Sequence, residues 1–157
     1  MTVRVREAVF PQDAASVSSL LEEYLLQTEA EKAVRGLSSP SDSLPDRYAE
    51  QVADPAALLA GMRVIVASVE AVDCGIIIVS EREPAGSELK RFWVRPEARA
   101  QGVGTELISE ALRHASRPVR LSVWEWREPA IRMYERLGFS PASSWEERPG
   151  LVFLRLE

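Results

Sequence analysis

The chain has 157 residues, enough for one domain with a hydrophobic core, and 46% of them are hydrophobic. A formal net charge of −5 argues against nucleic acid as a partner, and no apolar run of about 18 residues predicts a membrane span or a secretory leader. One cysteine and one histidine leave no internal disulfide and argue against a histidine-based triad or a histidine metal site, so we expect no metal. These features predict a single cytoplasmic domain over residues 1–157.

The first 60 residues predict one strand and two helices. Residues 3–8 alternate between apolar and polar side chains, as a strand does, and residues 11–33 carry apolar side chains at helical spacing. Residues 35–46 are rich in Gly, Ser, Pro and Asp, which predicts a loop. A second helical region covers about 46–60, and we expect a break at 54–55, where Asp precedes Pro.

The middle of the chain predicts antiparallel strands. Residues 63–69 and 74–80 are apolar runs joined by a short polar turn, which indicates a hairpin. We interpret Cys74 as a buried residue of the second strand rather than a nucleophile. Residues 81–87 read as a turn and residues 88–94 as the next strand.

The last third alternates helices and strands. A helix is expected over 104–116, a strand over 119–125 and a helix over 128–137, followed by strands from 139 and over 151–156. Antiparallel hairpins therefore precede a β-α-β crossover. This order predicts an α/β fold (α+β) with a central mixed β-sheet and helices on both faces.

Two glycines stand at the entrance of the helix over 104–116, in the run RAQGVG (99–104). Helix N-termini present unpaired N–H groups, and glycine lets a phosphate approach them closely. The lysine of a P-loop is missing, and Leu107 replaces the third glycine of a dinucleotide fingerprint. Glu125 stands where that fingerprint has its acidic residue, so a nucleotide-binding protein is kept as a distant alternative.

Two motifs are similar to those of a known family. Residues 88–112, ELKRFWVRPEARAQGVGTELISEAL, resemble the acetyl-CoA-binding motif [RQ]-x-x-G-x-[GA] of the GNAT superfamily of N-acetyltransferases. Residues 128–139, EPAIRMYERLGF, resemble its second motif, A-x-x-x-Y-x-[KR]-x-G-F. The positions of the second motif are filled by Ala130, Tyr134, Arg136, Gly138 and Phe139. The family often has Asn where this chain has Arg127.

The resemblance implies the GNAT (acyl-CoA N-acyltransferase) fold, with acetyl-CoA between two splayed strands, 88–94 and 119–125. Strand backbone would pair with the pantetheine arm, and N–H groups from Gln101 to Thr105 would hold the pyrophosphate. Arg127 would either reach a phosphate or face solvent. The predicted residues around acetyl-CoA are Phe92, Trp93, Val94, Arg99, Ala100, Gln101, Gly102, Val103, Gly104, Thr105, Arg127 and Ala130.

Acetyl transfer to an amine requires that the amine lose a proton and that the leaving thiolate gain one. Tyr134 stands where relatives have the tyrosine that donates a proton to the CoA sulfur. Glu88 stands at the spacing of a glutamate that acts as general base in several relatives, and Glu125 is a second candidate. Direct attack with a proton relayed by water is the third possibility.

The expected activity is transfer of an acetyl group to a primary amine, on a small molecule or a protein. Trp126 and Trp145 lie at strand ends or in loops, where they could line the acceptor pocket. The nearby carboxylates Glu125, Glu146 and Glu147 weakly favour a cationic amine. The alternative is a non-catalytic acyl-CoA-binding or sensing module on the same fold. Dimerisation is common in the family, so a homodimer is a further expectation.

Overall fold

The computed structural model describes residues 2–38 and 44–157, and within them seven strands form one sheet in the order β1-β2-β3-β4-β5-β7-β6. The strands are β1 (Val3–Glu7), β2 (Arg63–Val69), β3 (Val72–Glu81), β4 (Ser87–Val94), β5 (Val119–Trp124), β6 (Ser140–Pro141) and β7 (Leu151–Leu156). The helices are α1 (Ala14–Val34), α2 (Asp46–Ala53), α3 (Pro55–Leu58), α4 (Val103–His114) and α5 (Glu128–Arg136). The predicted α/β class, the mixed sheet and the element order are confirmed.

Differences from the predicted elements are confined to their ends. Helix α1 begins at Ala14 rather than near residue 11, because the Asp13 carboxylate accepts the Val9 N–H at 2.9 Å and holds a turn there. The predicted break before Pro55 is present, and the Asp54 side chain accepts the Ala57 N–H as the cap of α3. Of the predicted loop over 35–46, residues 39–43 lie outside the described residues.

Both faces of the sheet are buried. On β2, Ile65 and Ala67 face one hydrophobic core with α4, while Val64 and Val66 face a second core with α1. Burial on both faces explains why the strand sequences are nearly continuous apolar runs. Cys74 is 5% exposed in the first core, as predicted, and burial raises the pKa of its thiol. No helix among the described residues is both long and apolar enough to cross a membrane.

The sheet opens between its two parallel strands. β4 and β5 pair only at Ser87 with Val119 and at Glu88 with Arg120, although both strands continue for several residues. The register of β4 against β3 shifts opposite Ile77, and Arg91 there has a φ of +55°. Such a bulge bends its strand. β4 therefore diverges from β5 and leaves backbone groups facing a gap.

Candidate functional site

A cavity of about 930 Å³ occupies the gap between β4 and β5. Its walls come from β4, β5, α4 and α5, and α1 covers one side. Most of the predicted cofactor residues line it, namely Phe92, Trp93, Val94, Arg99, Ala100, Gly102, Val103, Gly104, Thr105, Arg127 and Ala130. This volume is in the range of ligand pockets, and the cavity ends at the N-terminus of α4.

The N-terminus of α4 is open towards a ligand. Gly102 is its N-cap with a φ of +84°, a conformation that favours glycine, and apart from its chain neighbours no atom of the described residues lies within 4 Å of where its Cβ would be. The helical hydrogen bonds begin with the N–H of Glu106, which donates to the Gly102 carbonyl. In the described part of the chain, the backbone N–H groups from Gln101 to Thr105 donate to no backbone carbonyl. These donors form an anion-binding position.

Gly104 has a different role from Gly102. A Cβ on Gly104 would lie 3.0 Å from Cζ of Phe92 and 3.4 Å from Sδ of Met133. This glycine therefore allows α4 to pack closely against β4 and α5. Of the two glycines, only Gly102 has open space at its Cβ position, and Gly104 lines the cavity as well as packing closely.

Three polar side chains surround this helix end. Nε of Arg99 donates to the Val94 carbonyl at 2.9 Å, and its guanidinium lies 4.9 Å from the Trp93 ring centre. The Gln101 side chain donates to the Glu97 carbonyl and does not line the cavity. Thr105 lines the cavity. Arg99 is therefore anchored at the end of β4 and lines the same cavity as the N-terminus of α4.

Tyr134 reaches the cavity from α5 and is 4% exposed. Its ring packs edge-on against Phe92 and Phe139, with centroids 6.0 and 5.7 Å away. Burial raises the pKa of its phenol far above the ordinary value, and Tyr24 raises it further, while the charge of Arg127 acts in the opposite direction. The phenol therefore stays protonated over the whole neutral range.

The two candidate bases are placed unfavourably. Glu88 lines the cavity at its closed end, but it accepts a hydrogen bond from Nε of Arg120 at 2.9 Å. Glu125 is exposed and does not line the cavity, because the chain turns away after Trp124, where the Glu125 N–H donates to Gly150. The expectation that Glu125 lies near the acceptor cleft is wrong for this reason.

Arg127 lines the cavity and does not face solvent, since its side chain is 18% exposed. Its guanidinium donates to Glu31 at 3.0 Å and to Thr28 Oγ1 at 2.7 Å, and it stands 5.2 Å from the Tyr24 ring centre. Trp126 Nε1 also donates to Glu31, at 2.7 Å. The alternative that Arg127 faces solvent is therefore wrong, because the side chain binds helix α1. Contact with a phosphate stays a prediction.

Helix α1 bridges the gap between the two strands. Glu23 accepts from Arg95 and from Trp93 Nε1 at the end of β4, as Glu31 does from residues that follow β5. The two glutamates are eight positions apart, which is a rise of about 12 Å along the helix axis. Each carboxylate thus binds one tryptophan and one arginine, and together they fix α1 across the gap.

Sequence reasoning missed the contribution of α1. The residues of α1 that line the cavity are Tyr24, Leu25, Thr28, Glu29, Glu31 and Lys32. Tyr24, Thr28 and Glu31 follow the i, i+4, i+7 spacing of one helix face. A helix that covers an apolar sheet is expected to be apolar on the face that it buries. The polar residues on this face were therefore the sequence feature that could have indicated a role of α1 in the cavity.

The predicted acceptor residues are only partly brought together. Trp126 lines the cavity and stacks on Trp124, with ring centres 5.0 Å apart. Trp145 does not line it and packs on Phe153 instead, 4.6 Å between centroids. Glu146 lines the cavity but is paired with an arginine.

Comparison with known proteins identifies the family of the chain. The family model of the acetyltransferase (GNAT) domain matches residues 60–141, just over half of the chain. The chain belongs to the GNAT acetyltransferase family. The part of the chain that the family model matches runs from β2 to α5. It therefore includes both motifs and the cavity walls formed by β4, α4, β5 and α5.

Two curated relatives are named as N-acetyltransferases, and the chain matches part of each. An uncharacterised N-acetyltransferase of Schizosaccharomyces pombe is 30% identical over 80 residues, which cover 47% of this chain and 49% of that protein. One of Methanocaldococcus jannaschii is 38% identical over 74 residues, covering 44% of this chain and 32% of that protein. The chain therefore matches about half or less of each relative.

The fold is that of solved GNAT structures. The PaiA N-acetyltransferase of Thermoplasma acidophilum, solved in complex with coenzyme A, superimposes over 100% of this chain and 99% of its own. Its TM-score is 0.72 and its sequence identity 14%, so this likeness concerns the fold. The predicted GNAT fold is confirmed.

Proposed function

We propose that this protein transfers an acetyl group from acetyl-CoA to a primary amine. The observation that carries the proposal is the gap between β4 and β5, which ends at the unpaired N–H groups of α4 and holds the buried phenol of Tyr134. Membership of the GNAT family and the coenzyme A complex of the Thermoplasma acidophilum relative support it.

The residues of the cavity suit coenzyme A. Gly102 offers open space beside N–H donors and the positive end of the α4 dipole, which is what a pyrophosphate requires. Arg99 would add a cation. The diverging backbone of Phe92, Trp93 and Val94 would pair with the amide groups of the pantetheine arm, as an added strand does.

Bound acetyl-CoA would supply the thioester whose carbonyl carbon is attacked by the amine. Tyr134 would act as the general acid and give its phenolic proton to the leaving sulfur. Its burial between Phe92 and Phe139 fixes the ring, and its raised pKa keeps the phenol protonated, so that the hydroxyl can donate a hydrogen bond to the sulfur as the C–S bond breaks. The sulfur leaves as the thiol, and the phenol regains its proton from the one that the amine releases.

No glutamate is assigned as the base. The Glu88 carboxylate forms an ion pair with Arg120, and Glu125 is exposed to solvent. We propose that the amine enters uncharged or loses its proton to cavity water, and that binding the two substrates in the right orientation supplies much of the rate.

Thiol release tests the proposal against its alternative, an acyl-CoA-binding module without catalysis. The protein is incubated with acetyl-CoA and a panel of primary amines, and free thiol is measured beside calorimetric binding of acetyl-CoA. We expect calorimetric binding of acetyl-CoA, and thiol release that depends on the amine and is absent without it. Binding with no release for any amine would support the module and contradict the enzyme.

A further inference from the structure

The charge of the cavity differs from that of the whole chain. Its lining includes seven basic residues and four glutamates, whereas the chain as a whole carries a net −5. The basic residues are Lys32, Lys90, Arg91, Arg99, Arg127, Arg136 and Arg148. A positively charged cavity in an acidic protein favours anionic ligands.

All four glutamates of the cavity are already paired. Glu29 binds Lys32 at 2.8 Å, and Glu31 binds Arg127 at 2.9 Å. The other two pairs are Glu88 with Arg120 and Glu146 with Arg148. A cationic acceptor would thus find every carboxylate of the lining engaged, against the expectation drawn from the sequence.

Arg91 has no such partner. Among the described residues no carboxylate pairs with it, and its only side-chain hydrogen bond goes to the neutral amide oxygen of Gln51, at 3.2 Å. The guanidinium carbon lies 6.0 Å from the ring centre of Tyr24 and 5.6 Å from that of Tyr48. Arg91 is half-buried, so its charge is partly removed from water without a counter-charge.

The position of Arg91 is set by the bulge of β4. Its positive φ is a strained conformation for a residue with a Cβ, and such strain concentrates at functional sites. The next residue, Phe92, packs against Tyr134 on one side of the sheet, while Arg91 contacts α1 and α2 on the other. Tyr24, beside Arg91, lines the cavity together with Tyr134.

We propose that Arg91 selects the acceptor by binding a carboxylate, so that the substrate is a small primary amine that also carries a carboxylate group, such as a free amino acid. This inference rests on the proposed function. The guanidinium offers two parallel N–H donors that match a carboxylate, and the rings of Tyr24 and Tyr48 lie beside it. The carboxylate on Arg91 would leave the amine of the same molecule in the part of the cavity that Tyr134 lines.

The test compares matched acceptors in the thiol-release assay. Each free amino acid of a panel is measured beside its carboxamide, which has nearly the same size but no negative charge. We expect the wild-type kcat/KM for accepted amino acids to exceed that of the carboxamides about tenfold or more. Turnover confined to amines without a carboxylate, or equal turnover of both members, would overturn the assignment.

Variants separate recognition from structure. Arg91→Gln should raise the KM for the amino acid and abolish the preference over the carboxamide, with the KM for acetyl-CoA unchanged. Arg91→Lys should retain part of the preference, since lysine keeps the positive charge but lacks the two parallel N–H donors of the guanidinium. Arg113→Gln removes the same charge from an exposed position on α4 and should behave as wild type. A preference that survives Arg91→Gln would contradict the proposal.

The outcomes also distinguish this inference from the proposed function. If only uncharged or cationic amines release thiol, the acetyltransferase stands and the role of Arg91 falls. If no amine releases thiol, both fall. If Arg91→Gln lowers the melting temperature and turnover of both acceptors equally, Arg91 is a structural clamp for α2, and the specificity assignment is wrong.

Discussion

Tyr134 combines burial with access to the cavity. It is 4% exposed, yet it lines the space where the thioester would lie. Replacing it by Phe removes one oxygen and keeps the contacts with Phe92 and Phe139. We expect Tyr134→Phe to lower kcat about 100-fold, because the leaving thiolate loses its proton donor.

The control for this variant is acetyl-CoA binding, measured by calorimetry, which should stay within about twofold of wild type because no binding contact is removed. Loss of kcat and affinity together would indicate a disturbed fold instead. A kcat within about threefold of wild type would contradict a role as general acid.

For Glu88, in contrast to Tyr134, we expect a substitution to leave kcat nearly unchanged. Its carboxylate is held by Arg120 at the closed end of the cavity. If water accepts the amine proton, Glu88→Gln should change kcat by no more than about threefold at any pH, since no general-base contribution is lost. The measurement is a pH–rate profile. Loss of its acidic limb, with a fall of about 100-fold, would assign the base to Glu88 after all.

At the scale of elements, the contact between α4 and β4 depends on Gly104. Alanine is a better helix former than glycine by about 1 kcal/mol. A Cβ on Gly104 would however approach Phe92 to 3.0 Å, and overpacking costs about 1–3 kcal/mol. We therefore expect Gly104→Ala to lower the free energy of unfolding, measured by denaturant titration.

A second substitution tests the stated cause. Phe92→Leu shortens the side chain that meets the new methyl group, so Gly104→Ala should destabilise less in the Phe92→Leu background than alone. Equal costs in both backgrounds would show that Phe92 is not the obstacle.

The elements themselves were largely predictable from the sequence. Strand β2 has the predicted bounds, and the break before Pro55 follows from the restricted backbone of a residue that precedes proline. The sequence did not predict the bulge at Arg91, because tertiary structure, and not the local sequence, holds this arginine at a positive φ. The separation of β4 from β5 was therefore expected from the family resemblance, and its local cause came from the structure.

For the molecule as a whole, the least predictable feature is the bridge formed by α1. Glu23 and Glu31 bind partners more than sixty residues away in sequence, Arg95 and Arg127. Nothing in the local pattern around Arg127 indicates such a partner. For this reason the contact of Arg127 with α1 was not predicted, while the glycine loop and Tyr134, which lie within continuous motifs, were expected at the cavity and line it.

This bridge predicts how stability responds to acid. Burial alone would raise the pKa of Glu31, but hydrogen bonds from Trp126 and Gln27 and the charge of Arg127 outweigh it, so the pKa lies below its ordinary 4.5. The unfolded chain then binds the proton more readily than the folded one. The stabilisation is present above pH 4.5 and is lost as the pH falls through the folded-state pKa.

Glu31→Gln should lower the free energy of unfolding at neutral pH by about 1–3 kcal/mol and weaken its decline in acid. Melting temperatures from neutral pH to about pH 3 measure this. Glu22→Gln, at an exposed position of the same helix, should follow the wild-type curve. If the Glu31→Gln curve runs parallel to that of the wild type, Glu31 is not the group responsible.

The central claim is that the N-terminus of α4 binds the pyrophosphate of acetyl-CoA, and calorimetric binding to a pair of glycine variants tests it most directly. Gly102 and Gly61 both have a positive φ, +84° and +80°, with no atom within 4 Å of the Cβ position, but only Gly102 lines the cavity. Gly102→Glu and Gly61→Glu thus introduce the same strain and the same charge. We predict roughly micromolar binding by the wild type and Gly61→Glu, and affinity about 100-fold weaker in Gly102→Glu. Equal affinities of the two variants, or no binding by the wild type, would contradict the claim.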